Sequence, residues 1–352
     1  MESFSEETIR KIVLIFGSML ASFVMAMLIA PFFIKSLYKY GIGQQIRENA
    51  VDGKAASLFR KLHIGKKGTP TMGGVLIWGV VVAVVVLSML LEALGYTKFS
   101  LWNRAETYLP VFTLITVAIL GAVDDIFNIK NIGGAKGIKV KPKMFWLILF
   151  GVIGALWFYF KLDWDMRPIS IPYVGLRDIG FWVVPLFILV IISSANAVNI
   201  TDGLDGLAGG LLVIAFISFG VIAYAQGLFI LSAFCAVVAG AIMAFLWFNV
   251  PPARFYMGDT GSLSLGATLG VIAMLTNSVF ILPIIGFVFV IETLSSLIQI
   301  FSKKFFNRKV FHIAPFHHHL EYIGWAETKI TLRLWIVGGL VAMFGIILRL
   351  IS

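Results

Sequence analysis

Ten apolar runs, each long enough to cross a bilayer as a helix, take up most of this 352-residue chain. They lie at roughly 11–36, 72–94, 107–125, 143–161, 180–199, 207–225, 228–250, 262–278, 280–301 and 329–350. About 18 apolar residues suffice for a helical span, and lipid offers the backbone no hydrogen-bond partner outside the helix itself. The chain is 59% hydrophobic and 13% charged, whereas soluble domains average roughly 45–50% apolar and about 25% charged. The short alternating segments of a membrane β-barrel do not occur. The expectation is an all-α, polytopic integral membrane protein with about ten transmembrane helices, folded as one domain over residues 1–352. The first run lacks a small-residue cleavage site and reads as a retained helix rather than a removable signal.

Lysine and arginine placement sets the orientation. The gap after the first run carries Lys39, Arg47, Lys54, Arg60, Lys61, Lys66 and Lys67. After the third come Lys130, Lys136, Lys139, Lys141 and Lys143, and after the ninth Lys303, Lys304, Arg308 and Lys309. Odd-numbered gaps are thus expected in the cytoplasm, even-numbered gaps outside, and both termini outside. The net charge of +10 gathers on the cytoplasmic face, where it suits anionic lipid and equally an anionic substrate. Nucleic-acid binding is excluded, because no soluble domain or aromatic-basic platform is present. The lone cysteine, Cys235, reads as a small buried hydrophobe.

Five polar motifs interrupt the apolar pattern, all at run ends on that cytoplasmic face. Gly68-Thr69-Pro70-Thr71-Met72-Gly73-Gly74 follows Lys66 and Lys67. It reads either as a threonine- and proline-started helix or as a set of free N–H groups for an anion. Asp124 and Asp125 close the third run, where the helix dipole opposes negative charge, so stability does not account for them. The segment Asn196 to Leu207 places Asp202 and Asp205 three residues apart, on one face of a helical turn. Its Asp-Gly start fails the alternating ligand pattern of a calcium loop. Asn249, Pro251-Pro252 and Arg254 to Gly261 bring Asp259 beside Tyr256. Asp259 is suited to capping the next helix, and the aromatic and Asn249 to stacking on and bonding a nucleobase. His317-His318-His319, followed by Glu321, cannot easily turn three rings on one zinc ion and suits phosphate binding or proton transfer. Glu292 lies within the ninth run with no obvious partner. Acids, lysines and glycines gathered at a membrane surface point to phosphate transfer.

In this order, the Gly-Thr-Pro-Thr-Met-Gly-Gly segment, the Asp124-Asp125 pair, Asn-Ile-Thr-Asp-Gly-Leu-Asp-Gly, Met-Gly-Asp-Thr-Gly and Ala-Pro-Phe-His-His-His-Leu-Glu resemble the phospho-N-acetylmuramoyl-pentapeptide transferase family. The aspartate motifs belong to the wider superfamily of polyprenyl-phosphate aminosugar-1-phosphate transferases. The Thr-Pro-Thr-Met-Gly-Gly and triple-histidine motifs mark the muramyl-peptide branch, against a donor such as UDP-GlcNAc. The resemblance implies a ten-helix, homodimeric enzyme of the bacterial cytoplasmic (inner) membrane. Such an enzyme moves phospho-MurNAc-pentapeptide from UDP-MurNAc-pentapeptide to undecaprenyl phosphate, giving lipid I and UMP. It implies Mg2+ on Asp259, Asp124 and Asp125 serving the acceptor phosphate or the metal, and His318, flanked by His317 and His319, contacting phosphate. Lys67, Asn199, Asp202, Asp205, Asn249 and Tyr256 would line the nucleotide end of the pocket. Tyr256 stands where phenylalanine is common, which preserves stacking. Phe127 and Asn128 stand where members carry a base, leaving open which of Lys130, Lys136, Lys139 and Lys141 reaches the pyrophosphate.

One phosphoanhydride is broken and another formed, so no external energy source is needed. The acceptor phosphate is already a nucleophile and needs at most one base, expected to be Asp124. Direct attack is the favoured route. A covalent aspartyl-phosphate route stays open, and UMP–donor exchange without acceptor would mark it. A transporter would instead place ionisable groups at the bilayer midplane and show repeat symmetry. Here the acids sit at helix ends and no repeat is visible.

Overall fold

The structure, a computed structural model, describes residues 5–43, 68–103, 105–130, 138, 140–161 and 168–352. Every one of the ten apolar runs is helical. They form α1 (Glu6–Lys39), α2 (Gly74–Ala93), α3 (Tyr108–Ile129), α4 (Val140–Lys161) and α5 (Val183–Thr201). After these come α6 (Leu207–Ala225), α7 (Phe229–Asn249) and α8 (Gly258–Leu275). The ninth run is broken at Gly286 into a short α9 (Leu282–Ile285) and α10 (Phe287–Phe306). A seven-residue α11 (Phe316–Tyr322) carries the histidines, and α12 (Glu327–Ile351) ends the chain. The Ser5 side chain accepts the Thr8 N–H and Glu6 and Glu7 occupy the first turn, so α1 starts where cap and dipole both favour it.

Eight of these helices are long and apolar enough to cross a membrane. Outside that set, besides the short α9 and α11, are α8 and α10. Helix α10 carries Glu292, Lys303 and Lys304. Helix α8 is rich in glycine, serine and threonine, and every residue from Thr260 to Leu275 is buried. It needs no apolar coat because it meets protein on all sides. Three of its hydroxyls return to its own backbone: Ser262 bonds the Gly258 carbonyl, Ser264 that of Thr260, and Thr268 that of Ser264. Helix α8 begins four residues earlier than the apolar run suggested, which draws Asp259 into its first turn.

Lipid tails are as apolar as leucine, so packing between membrane helices rests on close contact at small residues. Helices α3 and α5 pack most extensively on α8, while α7 receives α1 and α6. At Gly121 an added Cβ would lie 2.3 Å from the Asp259 carbonyl oxygen, and at Gly74 it would lie 2.2 Å from the Gly261 nitrogen. The backbones of α2 and α3 thus touch the start of α8.

The opposite end of the bundle is closed by a hairpin, β1 (Pro168–Ile171) against β2 (Gly175–Asp178), paired antiparallel with Pro168 facing Asp178. Asn277 accepts the Ser170 N–H and donates to the Pro168 carbonyl. The first part of α1 and the last turn of α12 pack there: Lys11 lies over the Phe229 ring and Arg349 donates to Ser278.

Gly121→Ala is expected to lower the thermal midpoint in detergent, because its methyl cannot fit without displacing α8. Gly79→Ala, where nothing lies within 4 Å, is expected to leave it unchanged or slightly raised. Equal midpoints for the two variants would contradict this packing.

Candidate active site

Asp125 organises the site. Its Oδ1 accepts the N–H of Asp259 at 3.0 Å and its Oδ2 that of Thr260 at 3.1 Å. These are two of the unpaired donors that every helix N-terminus carries. The carboxylate therefore caps α8 from a neighbouring helix, a position where negative charge is favoured. Asp125 opposes the dipole of its own helix yet satisfies that of α8, so stability does account for this half of the pair. Gly258 makes the approach possible: its φ of +74° is left-handed, and a Cβ there would lie 2.6 Å from Asp125 Oδ2. Asp259, freed from capping, makes no side-chain cap bond to α8, contrary to one reading of the sequence.

Asp124 points elsewhere. Its Oδ1 accepts the Ile138 N–H at 2.5 Å, and its Oδ2 pairs with the Lys143 ammonium at 3.2 Å. That ammonium also pairs with Asp259 Oδ2. Asn199 donates to Asp259 Oδ1 and to Ser262, both at 2.8 Å, fixing the carboxylate from α5. Lys143, in the first turn of α4 one residue past Pro142, was not among the lysines weighed for the pyrophosphate, because it opens an apolar run. Lys130 is exposed beyond the end of α3. Lys67, Lys136 and Lys139 fall outside the described residues, as does Lys66.

Asp202 ends α5 and its carboxylate makes no hydrogen bond or ion pair among the described residues. The group is partly exposed at the rim yet hemmed by protein. Burial, then the charges of Asp259 and Asp205, push its carboxyl up to about 7. Asp205 does not share its role. Its Oδ2 accepts the Ala253 N–H at 3.0 Å, and its own N–H donates to Glu327 at 2.7 Å, tying this turn to the Pro251-Pro252 turn and to α12. Asn249 is buried, accepting from Gly206 at 3.0 Å and donating to the Phe255 carbonyl at 2.9 Å. Both side chains hydrogen-bond neighbouring backbone segments.

The Thr-Pro-Thr-Met-Gly-Gly segment is also knitted in. Tyr256 donates its N–H to the Pro70 carbonyl, while the N–H groups of Gly73 and Gly74 bond the carbonyls of Tyr256 and Met257 at 2.7 and 2.8 Å. Those N–H groups are not free for an anion. The helix starts at Gly74, four residues after Pro70, with no side-chain cap, so the threonine and proline do not start it. Tyr256 keeps its place beside Asp259 in sequence, half-buried.

The three histidines face three ways. His317 is fully buried and meets Glu292, its Nδ1 lying 3.0 Å from Oε2. His318 meets Glu321 at 2.6 Å. His319 stacks on His312, with ring centroids 5.5 Å apart and planes at 13°. Glu292, without a visible partner in sequence, has one 25 residues on.

Among the described residues, Asp124, Asp125, Asp259 and Asp202 outnumber the one lysine that meets them, and buried charge is costly unless matched. The Lys143 ammonium already bridges Asp124 and Asp259, so this spot favours a cation. The donors are all oxygens, the set magnesium prefers, and magnesium usually takes one or two carboxylates with substrate phosphates and water. Among the described residues no three acid, histidine or cysteine side chains form a ready-made metal cage, so the remaining ligands would come from substrate and water. The residues present fit magnesium.

The chain matches glycosyl transferase family 4 over residues 107–277 and phospho-N-acetylmuramoyl-pentapeptide-transferase signature 1 over residues 66–77. A phospho-N-acetylmuramoyl-pentapeptide-transferase of Chloroflexus aggregans is 38% identical over 343 residues, covering 94% of this chain and 88% of the relative. Those of Geobacillus sp. strain WCH70 and Anoxybacillus flavithermus are each 38% identical, covering 94% and 95% of this chain and 96% and 97% of their own lengths. With identity of this level along nearly the whole chain, the protein belongs to the phospho-N-acetylmuramoyl-pentapeptide transferase family.

Proposed function

We propose that this protein transfers phospho-MurNAc-pentapeptide from its UDP donor to undecaprenyl phosphate, giving lipid I and UMP, at the cytoplasmic face of a bacterial inner membrane. The observation that carries the reading is the convergence of Asp124, Asp259 and Lys143 at the start of α8, in a chain of this family. The charge pattern of the loops supports a cytoplasmic site with both termini on the other side. The family resemblance adds a homodimer, which crosslinking in membranes would detect.

Magnesium, held by Asp259, would neutralise charge on the pyrophosphate and on the UMP leaving group. Lys143 adds a fixed positive charge beside it; once the carboxylates have another cation, its ammonium is released to the phosphates. Asp124 takes the proton of the acceptor phosphate, which attacks the donor's sugar-linked phosphorus directly. Asp125 holds the α8 N-terminus and does no chemistry. Asn199 keeps Asp259 turned into the site, and His318, oriented by Glu321, faces the phosphates. Asp202 and Tyr256 border the nucleotide end. An apolar hollow along α10, lined by Leu297, Ile298, Phe301, Phe306 and Val310, suits part of a polyprenyl chain.

The test is UMP release by purified protein in detergent with magnesium and undecaprenyl phosphate, comparing UDP-MurNAc-pentapeptide with UDP-GlcNAc. Release from the muramyl donor alone, abolished in Asp259→Ala and cut by about 100-fold or more in Lys143→Met, is expected. Release from UDP-GlcNAc instead would overturn the substrate, and release from neither the reaction.

Asp202 gives a pH signature in the ligand-free protein. Its folded value of about 7 exceeds the ordinary aspartate value of about 3.9. Between these pH values the folded state holds more protons than the unfolded one, so stability falls as pH rises through that window. Asp202→Asn, always neutral, is expected to gain thermal midpoint over wild type as pH goes from about 4 to about 8. A difference that stays flat with pH would refute it.

A further inference from the structure

Glu292 and His317 are both completely buried, with side chains 0% exposed, and the transfer mechanism above uses neither. One glutamate oxygen, Oε2, meets two groups of His317: the backbone N–H at 3.2 Å and ring Nδ1 at 3.0 Å. The far ring nitrogen, Nε2, has no hydrogen-bond partner among the described residues. It is pressed against the turn that carries Asp202, since a Cβ on Gly203 would lie 2.3 Å from it. Gly203 does not have a left-handed φ, so the ring alone accounts for a glycine there.

The proton can be assigned from this geometry. An oxygen that already accepts a backbone N–H is best matched by a second donor, which puts the proton on Nδ1. A proton on Nε2 would be a buried N–H without an acceptor, an arrangement proteins rarely tolerate, whereas an unpaired buried acceptor is less costly. We infer that Glu292 is a positioning residue for the transfer reaction: it holds His317 as the Nδ1–H tautomer, with Nε2 presented as a lone-pair acceptor at the Asp202-Gly203 turn, and through the His317 backbone N–H it sets the start of the helix that carries His318. A carboxylate orienting a working imidazole in this way recurs at metal and catalytic sites, where its loss costs about 10–100-fold. This inference rests on the proposed transferase reading.

Two substitutions separate orientation from charge. Glu292→Gln keeps a carbonyl oxygen able to accept both N–H groups, while Glu292→Met keeps the volume and loses the acceptor. In the UMP-release assay Glu292→Met is expected to lower kcat by about 10–100-fold, with KM for either substrate little changed and Glu292→Gln retaining most of the wild-type kcat. Nitrogen-15 NMR of histidine-labelled protein, assigned with His317→Asn, is expected to give His317 the Nδ1–H pattern in wild type and in Glu292→Gln. A wild-type kcat in Glu292→Met, or an equal loss in both variants, would overturn the positioning role. So would an Nε2–H pattern in wild type, a readout that stands even where Glu292→Met fails to fold. Wild-type protein without UMP release would instead sink the transferase reading, leaving the NMR result to decide the tautomer.

Discussion

The site depends on one carboxylate capping a helix that is not its own. Asp125 reaches from the end of α3 to bond the Asp259 and Thr260 N–H groups at the start of α8. A helix start buried among other helices has no water to serve its free N–H groups, so protein must satisfy them. Once they are satisfied, Asp259 is held in the first turn of α8 with its carboxylate directed away from the backbone, toward Asn199 and Lys143. The same contact explains the glycines around it. Gly121, Gly74 and Gly258 leave room for α3, the Thr-Pro-Thr-Met-Gly-Gly segment and Asp125 to come within touching distance of α8.

Around this anchor the acids divide their labour by where the neighbouring backbone is. Asp125 and Asp205 accept backbone N–H groups and act as struts. Asp124 and Asp259 share a lysine and leave net negative charge between them. Adjacent residues on a helix point about 100° apart, which is how Asp124 and Asp125 come to serve different purposes from one helix end. The result is a frame of hydrogen-bonded turns around a cluster of acids, at the end of the bundle opposite the hairpin.

Much of this was legible in the sequence. The apolar runs gave every long helix, because a span's composition is set by lipid before it is set by neighbours. The two departures have physical reasons. Helix α8 is coated by protein and therefore free to be small and polar, which hid its first turn. The ninth run is broken at Gly286, which a hydropathy pattern does not register. The polar motifs were found because polar groups at apolar helix ends are conspicuous. Their roles were not found, because role depends on what another segment brings. Asn249 and Asp205 stand out as polar residues in one dimension, but the backbone segments they bond are visible only in the fold. Lys143 was hidden by its place at the head of an apolar run. Glu292 was an isolated charge until α11 folded back over it, and no spacing rule links residues 25 apart in different elements.

The division between struts and chemistry is the central claim, and magnesium-dependent thermal stabilisation of Asp125→Asn and Asp259→Asn in detergent tests it most directly. The account predicts that Asp125→Asn lowers the midpoint in metal-free buffer and keeps much of the rise on adding magnesium. Asp259→Asn should lose the magnesium-dependent rise. The reverse pattern, with Asp259→Asn still responsive while Asp125→Asn stays stable and unresponsive, would contradict it.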